Sequence, residues 1–263
     1  MLNDLMPISY NYKYGTEVHI KPLSDLHVGS KQFSMDRFQA WRKNLKPTDK
    51  VVVVGDLLDN SVITGRLGHT AYEAAMPPGA AKELLYQMLE DIAPQIICGV
   101  SGNHEARGKL QDSWPLYDIF CRLKIEDKFR PSIAFLFIGI GKETTAPGRK
   151  RPLYVCAVTH GVSNGLTIGA GPNRIDRFLG YCDVDLLITG HTHKPVTWPS
   201  ARIVADRAHH LIKVKQFTAV TATSMMDYGG YALEKMLPPA PVLTEQEIIL
   251  MPRDNSIRVI QGY

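Results

Sequence analysis

The sequence predicts an α/β fold in which a strand–helix core is followed by a mainly antiparallel sheet packed against it. Three observations predict it. Short apolar runs rich in β-branched residues recur as far as Ile188, amphipathic patterns of helical spacing lie between them, and the helical signal fades after Trp198.

Taken in order, the apolar runs at 18–23, 51–54, 95–100, 153–158 and 184–188 read as strands covered on both faces. Residues 35–45 carry Phe38, Trp41, Arg42 and Leu45 at helical spacing and stop at Pro47. Residues 80–92 repeat the pattern with Leu84, Leu85, Met88, Leu89 and Ile92, ending before Pro94. A third helix, 115–123, opens with Pro115 in its first turn behind a Ser113 cap, and a fourth, 173–179, ends at Gly180. The runs 133–140 and 153–158 flank a stretch of Gly, Pro, Lys and Arg, which predicts a hairpin. Beyond Trp198, the segments 203–205, 211–214, 217–223, 247–251 and 256–260 suit strands. No linker or internal repeat interrupts the chain. One domain over 1–263 is expected, with a core at about 18–198 and a mainly β segment at about 199–263 completing the second sheet.

Composition narrows the function classes. The 263 residues are 44% hydrophobic and 21% charged, which excludes disordered, collagen-like and low-complexity chains. A net charge of +4 is compatible with a polyanionic partner without demonstrating one. Cys98, Cys121, Cys156 and Cys182 form no C-x-x-C pair, and Cys98 and Cys156 sit in apolar runs as small hydrophobes. The longest apolar run, 133–140, is far short of the roughly 20 residues a membrane helix needs. With no secretory signal at the start, the expectation is a soluble, cytoplasmic protein with no membrane partner; the oligomeric state is left open.

The chemistry gathers where the strands end. Ligands of open α/β sheets bind outside the carboxyl ends of strands, so folding should bring Asp25, His27, Asp56, Asp59, Asn103, His104, His160, His191 and His193 to one rim. Asp25/His27 and His191/His193 are each two apart, which in an extended segment points both side chains the same way. Carboxylate, imidazole and amide donors without thiolate suit borderline divalent metals. The donors are too many for one zinc and too rich in imidazole for calcium or magnesium, while two ions sharing one carboxylate fit the count.

Asp25-x-His27, Gly55-Asp56-x-x-Asp59, Gly102-Asn103-His104-Glu105, His160 and Gly190-His191-x-His193, in that order, resemble the calcineurin-like metallophosphoesterase family. Each block alone is ordinary turn or capping chemistry; five in order at strand ends are not. The resemblance spans about Leu23 to His193 and implies a four-layer α/β/β/α sandwich, with two mixed sheets face to face and helices outside. It also implies two divalent ions, manganese first, with iron, zinc or nickel as alternatives. One would take Asp25, His27, Asp56 and His193, and the other Asp56, Asn103, His160 and His191. His104 would be the catalytic histidine beside the leaving group, oriented by Asp59. Two divalent cations against Asp25 and Asp56 leave a surplus of about two positive charges for a phosphate, and can acidify a shared water. The expected activity is phosphoester hydrolysis by metal-activated hydroxide.

The substrate is less legible. Protein serine/threonine phosphatases of the family carry an Arg directly after the second Asp of the second block, where this chain has Asn60. No large added domain follows His193, unlike the longer DNA-repair nucleases. A phosphodiesterase or nuclease acting on DNA or RNA is favoured by the basic pI and the Arg149-Lys150-Arg151 tip. The alternatives are a phosphomonoesterase acting on nucleotides or other small molecules and, from another class, a non-catalytic binding scaffold. Arg107 is placed to reach a phosphate oxygen, although an exposed Arg near a turn is usually just solvated. Residues 60–79, with Arg66 and His69, are read as a lid or as a Gly-rich surface loop. Tyr228-Gly229-Gly230-Tyr231 is read as a turn or a stacking platform. His19, His69, His209 and His210 fit no block and are read as structural or exposed, and Asp36, Asp49, Asp183 and Asp185 as caps and solvated charges.

Overall fold

A computed structural model describes residues 4–61, 74–107, 114–141, 151–162, 170–234, 236, 239 and 245–262. The strands up to the middle of the chain are β1 (Ile8–Tyr12), β2 (Val18–Leu23), β3 (Lys50–Val53), β4 (Ile96–Val100), β5 (Phe129–Arg130) and β6 (Ile133–Ile140). They are followed by β7 (Leu153–Thr159), β8 (Leu186–Thr189), β9 (Val196–Asp206), β10 (Leu211–Thr221), β11 (Glu245–Met251) and β12 (Ser256–Gly262). The helices are α1 (Met35–Lys43), α2 (Pro78–Glu90), α3 (Asn103–Ala106), α4 (Pro115–Arg122), α5 (Ala170–Leu179) and α6 (Tyr231–Glu234).

The strands form two six-stranded sheets, ordered β12-β11-β2-β3-β4-β5 and β1-β6-β7-β8-β10-β9. In the first, β2, β3, β4 and β5 run parallel, with β11 antiparallel to β2. In the second, β7, β8 and β10 run parallel, and β6 and β9 are antiparallel to their neighbours β7 and β10. Alternation along the buried strands assigns the layers. Val52, Val54, Ile20, Leu136, Cys156, Leu186 and Ile188 meet in the core between the sheets. Val51 and Val53 face Phe38, Leu85, Leu89, Leu116 and Phe120 of α1, α2 and α4. Ala157 and Leu187 face Ile175 and Leu179 of α5. The result is the expected α/β/β/α sandwich of two mixed sheets.

Most elements fall where the apolar patterning put them, and 133–140 and 153–158 do pair antiparallel. The segment 199–263, expected to complete one sheet, is divided between both. β9 and β10 extend the second sheet beside β8, whereas β11 and β12 cross to the first and cover β2. The cause is burial: Ile248 and Leu250 close the inter-sheet core beside Val18 and Ile20, which would otherwise edge onto water. β1 was missed although its burial alternates, and the two-residue β5 has no period to read. Cys98 and Cys156 are free, buried thiols, as expected of small hydrophobes. Among the described residues, no helix is long and apolar enough to cross a membrane. Ser113, most of 60–79 including Arg66 and His69, and Arg149 and Lys150 lie outside the described residues.

Candidate metal centre

Both sheets deliver their side chains to one rim. Asp25 and His27 follow β2, Asp56 follows β3, Asn103 and His104 follow β4, His160 follows β7, and His191 and His193 follow β8. The backbone there is not the extended one expected of the two-apart pairs. Asp25 (φ 51°), His27 (51°), Asp56 (50°), His191 (70°) and His193 (56°) are all left-handed. For residues bearing a Cβ this costs on the order of 1–3 kcal/mol each and persists only where the surroundings impose it. Here they do: the Asp25 and His27 amides donate to the carbonyls of Gly55 (3.1 Å) and Asp56 (3.0 Å), crossing from one strand end to the next. Two glycines make room. A Cβ on Gly102 would overlap the Asp56 carboxylate, and one on Gly190 would overlap Ser24 Oγ.

Three groups of donors result, one of which, His27, Asp56 and His104, links the other two. In the first, ligand atoms of Asp25, His27 and His193 all lie within 4.8 Å of one another. Asp25 is wholly buried, and its Oδ2 accepts from Ser24 Oγ (2.6 Å) and from the His191 amide (3.1 Å). Its Oδ1 stands 3.1 Å from His193 Nε2 and 4.0 Å from His27 Nε2. In the second group, Asp56, His160 and His191 satisfy the same 4.8 Å limit. Asp56 Oδ2 is 3.0 Å from His160 Nε2, which lies 3.2 Å from His191 Nδ1. His160 Nδ1 donates to the Val54 carbonyl (2.8 Å), which fixes its other nitrogen toward the rim. Asp56 also stands 3.9 Å from His27 Nε2, between the two groups. Asn103 opens α3 with its side chain exposed at the same rim.

His104 lies over this seam, its ring edge-on to His27 with centroids 4.3 Å apart. Its Nδ1 donates to the Asp59 main-chain carbonyl (2.8 Å), with the Asp59 carboxylate at 3.2 Å. The backbone of Asp59 thus orients the ring as much as its side chain does. His104 Nε2 accepts from Arg107 Nη2 at 3.0 Å, and Arg107 Nη1 donates to the Asp59 carbonyl at 3.4 Å. The Asn60 side chain donates to the His104 carbonyl (3.0 Å), so it braces the turn.

Electrostatics follow the packing. Burial works against ionising Asp25 and Asp56, but the surrounding histidines outweigh it and hold both carboxyls below the usual range. Asp59 is held low in the same way, against burial, by bonds from His104, His27 and Ser61. Burial opposes charge on His160, yet Asp56 and Asp25 carry it up to about 9. His104 also moves up, its burial outweighed by Asp59 and Asp56.

The donor set fits divalent cations. Asp25 Oδ1 and His27 Nε2 are buried with no hydrogen-bond partner, a cost of about 1–3 kcal/mol each that a cation would remove. Mixed carboxylate and imidazole donors without thiolate suit manganese, iron, zinc or nickel.

Glu105, quoted in the motif but given no role, is the residue sequence reasoning missed. It is buried, and it accepts from the amides of Gly102 (2.8 Å), Asp56 (2.9 Å) and Leu58 (3.0 Å), tying β3's end to β4's. A Glu three residues after a helix-opening Gly was the available signal. Of the basic tip, only Arg151 is described, and it bonds Asn11.

Residues 19–195 match the family model described as calcineurin-like phosphoesterase. Similar solved structures include vacuolar protein sorting 29 from Cryptosporidium parvum, 15% identical with a TM-score of 0.44, covering 94% of this chain and 97% of that one. A metallophosphoesterase from Sphaerobacter thermophilus is 13% identical with a TM-score of 0.44, covering 94% and 89%. Vps29 from Entamoeba histolytica, solved with zinc, is 14% identical with a TM-score of 0.41, covering 93% and 98%. No curated protein matches the chain in sequence.

Proposed function

The chain belongs to the calcineurin-like phosphoesterase family, whose members are metal-dependent phosphoester hydrolases, and from that premise we propose a phosphodiesterase that works with two divalent cations at this rim. Asp25, His27, Asp56 and His193 hold one, and Asp56, Asn103, His160 and His191 the other. The observation that carries this reading is the position of Asp56, grouped with His160 and His191 on one side and with His27 and His104 on the other. Bound there, the cations supply Lewis-acid polarisation of phosphoryl oxygens and acidify water toward a pKa of ~7.

The chain's own residues do the rest. His104, raised in pKa, is the proton donor to the leaving oxygen, and Asp59 keeps its Nδ1 occupied so that Nε2 faces the substrate. Arg107 rests on that nitrogen. A phosphate oxygen is the better acceptor for a guanidinium, so an arriving substrate draws Arg107 away and frees Nε2 to take up a proton from solvent, which it then gives to the leaving oxygen. Glu105 and Gly102 hold Asp56 against the strand end so that its carboxylate stays between the two groups. The net charge of +4 favours a polyanionic diester, DNA or RNA, over a neutral partner.

Manganese-stimulated hydrolysis of bis-p-nitrophenyl phosphate, lost on exhaustive chelation and in Asp56→Asn, is the expected result. Full activity after chelation would overturn the reading. A preference of orders of magnitude for p-nitrophenyl phosphate would make the protein a phosphomonoesterase instead.

A further inference from the structure

The opposite end of the first sheet carries a second concentration of donors. His19 lies on β2, Asp49 immediately precedes β3, and Glu247 lies on β11, so three adjacent chain segments each contribute one. Their ligand atoms lie within 4.8 Å of one another. Asp25 is six residues further along, which at about 3.3 Å per residue puts the rim roughly 20 Å away. Asp49, read as a cap or a solvated charge, is 0% exposed. One of its oxygens accepts from the Lys46 amide (3.0 Å), and the other, Oδ1, has no partner. A buried carboxylate oxygen left bare is costly, and this one sits among donors that a cation would bridge.

The neighbours leave negative charge to spare. Glu17 stands 3.8 Å from His19 Nε2, and His19 Nδ1 donates to Glu247 Oε1 at 2.7 Å. Lys21 reaches Glu245 (3.1 Å) and Glu247 (3.3 Å), and no ion pair reaches Asp49 among the described residues. One ammonium therefore faces four carboxylates, those of Glu17, Asp49, Glu245 and Glu247. Lys50 points the other way, over the Tyr12 ring. Imidazole with two carboxylates is a donor set for a first-row divalent ion, and the half-exposed His19 leaves a way in for it and for completing waters.

We propose that His19, Asp49 and Glu247 form a further divalent-cation site, of the zinc or manganese class, separate from the rim. The ion fastens β11 to β2 and to the start of β3. β11 meets β2 over only three registered pairs, Ile248↔Ile20, Ile249↔His19 and Leu250↔Val18, so this is where a cross-link would hold the C-terminal hairpin. Its role is structural, and diester hydrolysis does not pass through it.

Crystals of the unmodified chain soaked in zinc or manganese chloride, measured at the metal's absorption edge, should show an anomalous peak among His19, Asp49 and Glu247. Peaks at the rim with none here would overturn the proposal and leave Lys21 as the only cation of the cluster. In solution, Asp49→Asn should bind one zinc fewer per chain by native mass spectrometry. It should also lose part of the zinc-induced rise in Tm while hydrolysing the diester within twofold of the parent. An unchanged zinc count in a folded Asp49→Asn would equally overturn it. Anomalous peaks here with none at the rim would count against the rim reading and not against this one, whereas an Asp49→Asn crystal that keeps its peak here and loses one at the rim would overturn this proposal.

Discussion

The two donor groups at the rim are finished to different degrees. In the group of Asp25, His27 and His193, two buried atoms have no hydrogen-bond partner. In the group of Asp56, His160 and His191, His160 is anchored to Val54 through one nitrogen and meets Asp56 and His191 through the other. A proton on His160 can stand in for a cation in the second group. In the first group burial and the neighbouring His104 push the His27 imidazole toward its neutral form, and His193 is the imidazole nearest the Asp25 carboxylate, 3.1 Å from its Oδ1. On the proposed reading, a cation at the second group would compete with the His160 proton.

Replacing Asp56, which belongs to the second group and stands 3.9 Å from His27 of the first, should have the largest effect. Asp56→Asn is expected to reduce turnover to background and to weaken both ions, read as metal per chain by mass spectrometry. An Asp56→Asn protein that keeps two ions would separate the groups and break the comparison. His104→Ala comes next, with kcat falling by about 10²–10⁴ while both ions stay bound. Metal loss there would mean that His104 belongs to the first group as a ligand. Glu105→Ala strips the acceptor from three buried amides and should cost about 3 kcal/mol, read as a lower denaturant midpoint at unchanged m-value.

The proton-for-cation exchange gives a pH signature. His160 is raised from its ordinary 6.5 to about 9, so its stabilising effect is complete below pH 6.5 and is lost as pH climbs through 9. Metal-free protein should lose Tm across that window, and metal-loaded protein should not. Asp25 and Asp56, held low, act in the opposite sense: their contribution is present above about pH 4 and fades on acidification. The smallest effect is expected from Arg107→Ala, which touches neither group directly. KM should rise by roughly tenfold, the scale of one charge-assisted bond, with metal content unchanged.

Much of the rim was readable in the sequence because each candidate donor is a distinct chemical type at the end of an apolar run. Asp56 and His160 are conspicuous where Val53 and Val158 stop. What escaped depends on partners far away in the chain. Whether β11 joins β10 or β2 is not written in its own alternation, since either neighbour would bury Ile248 and Leu250. The left-handed turns at Asp25, His27, His191 and His193 lack the glycine that ordinarily announces them. Asp49, in a Pro-Thr-Asp-Lys turn, reads as a cap or a solvated charge, and its place beside His19 and Glu247 depends on β11 pairing with β2.

The pairing of β11 with β2 also sets a timetable for biosynthesis. His19 and Glu247 are bonded across 228 positions, so the edge of β2 emerges from the ribosome long before its cover exists. At roughly 5–20 residues per second, that delay is on the order of ten seconds or more. For that interval the nascent chain presents Val18 and Ile20 on an unguarded margin, where chaperone capture or intermolecular strand addition competes with completion of the sheet.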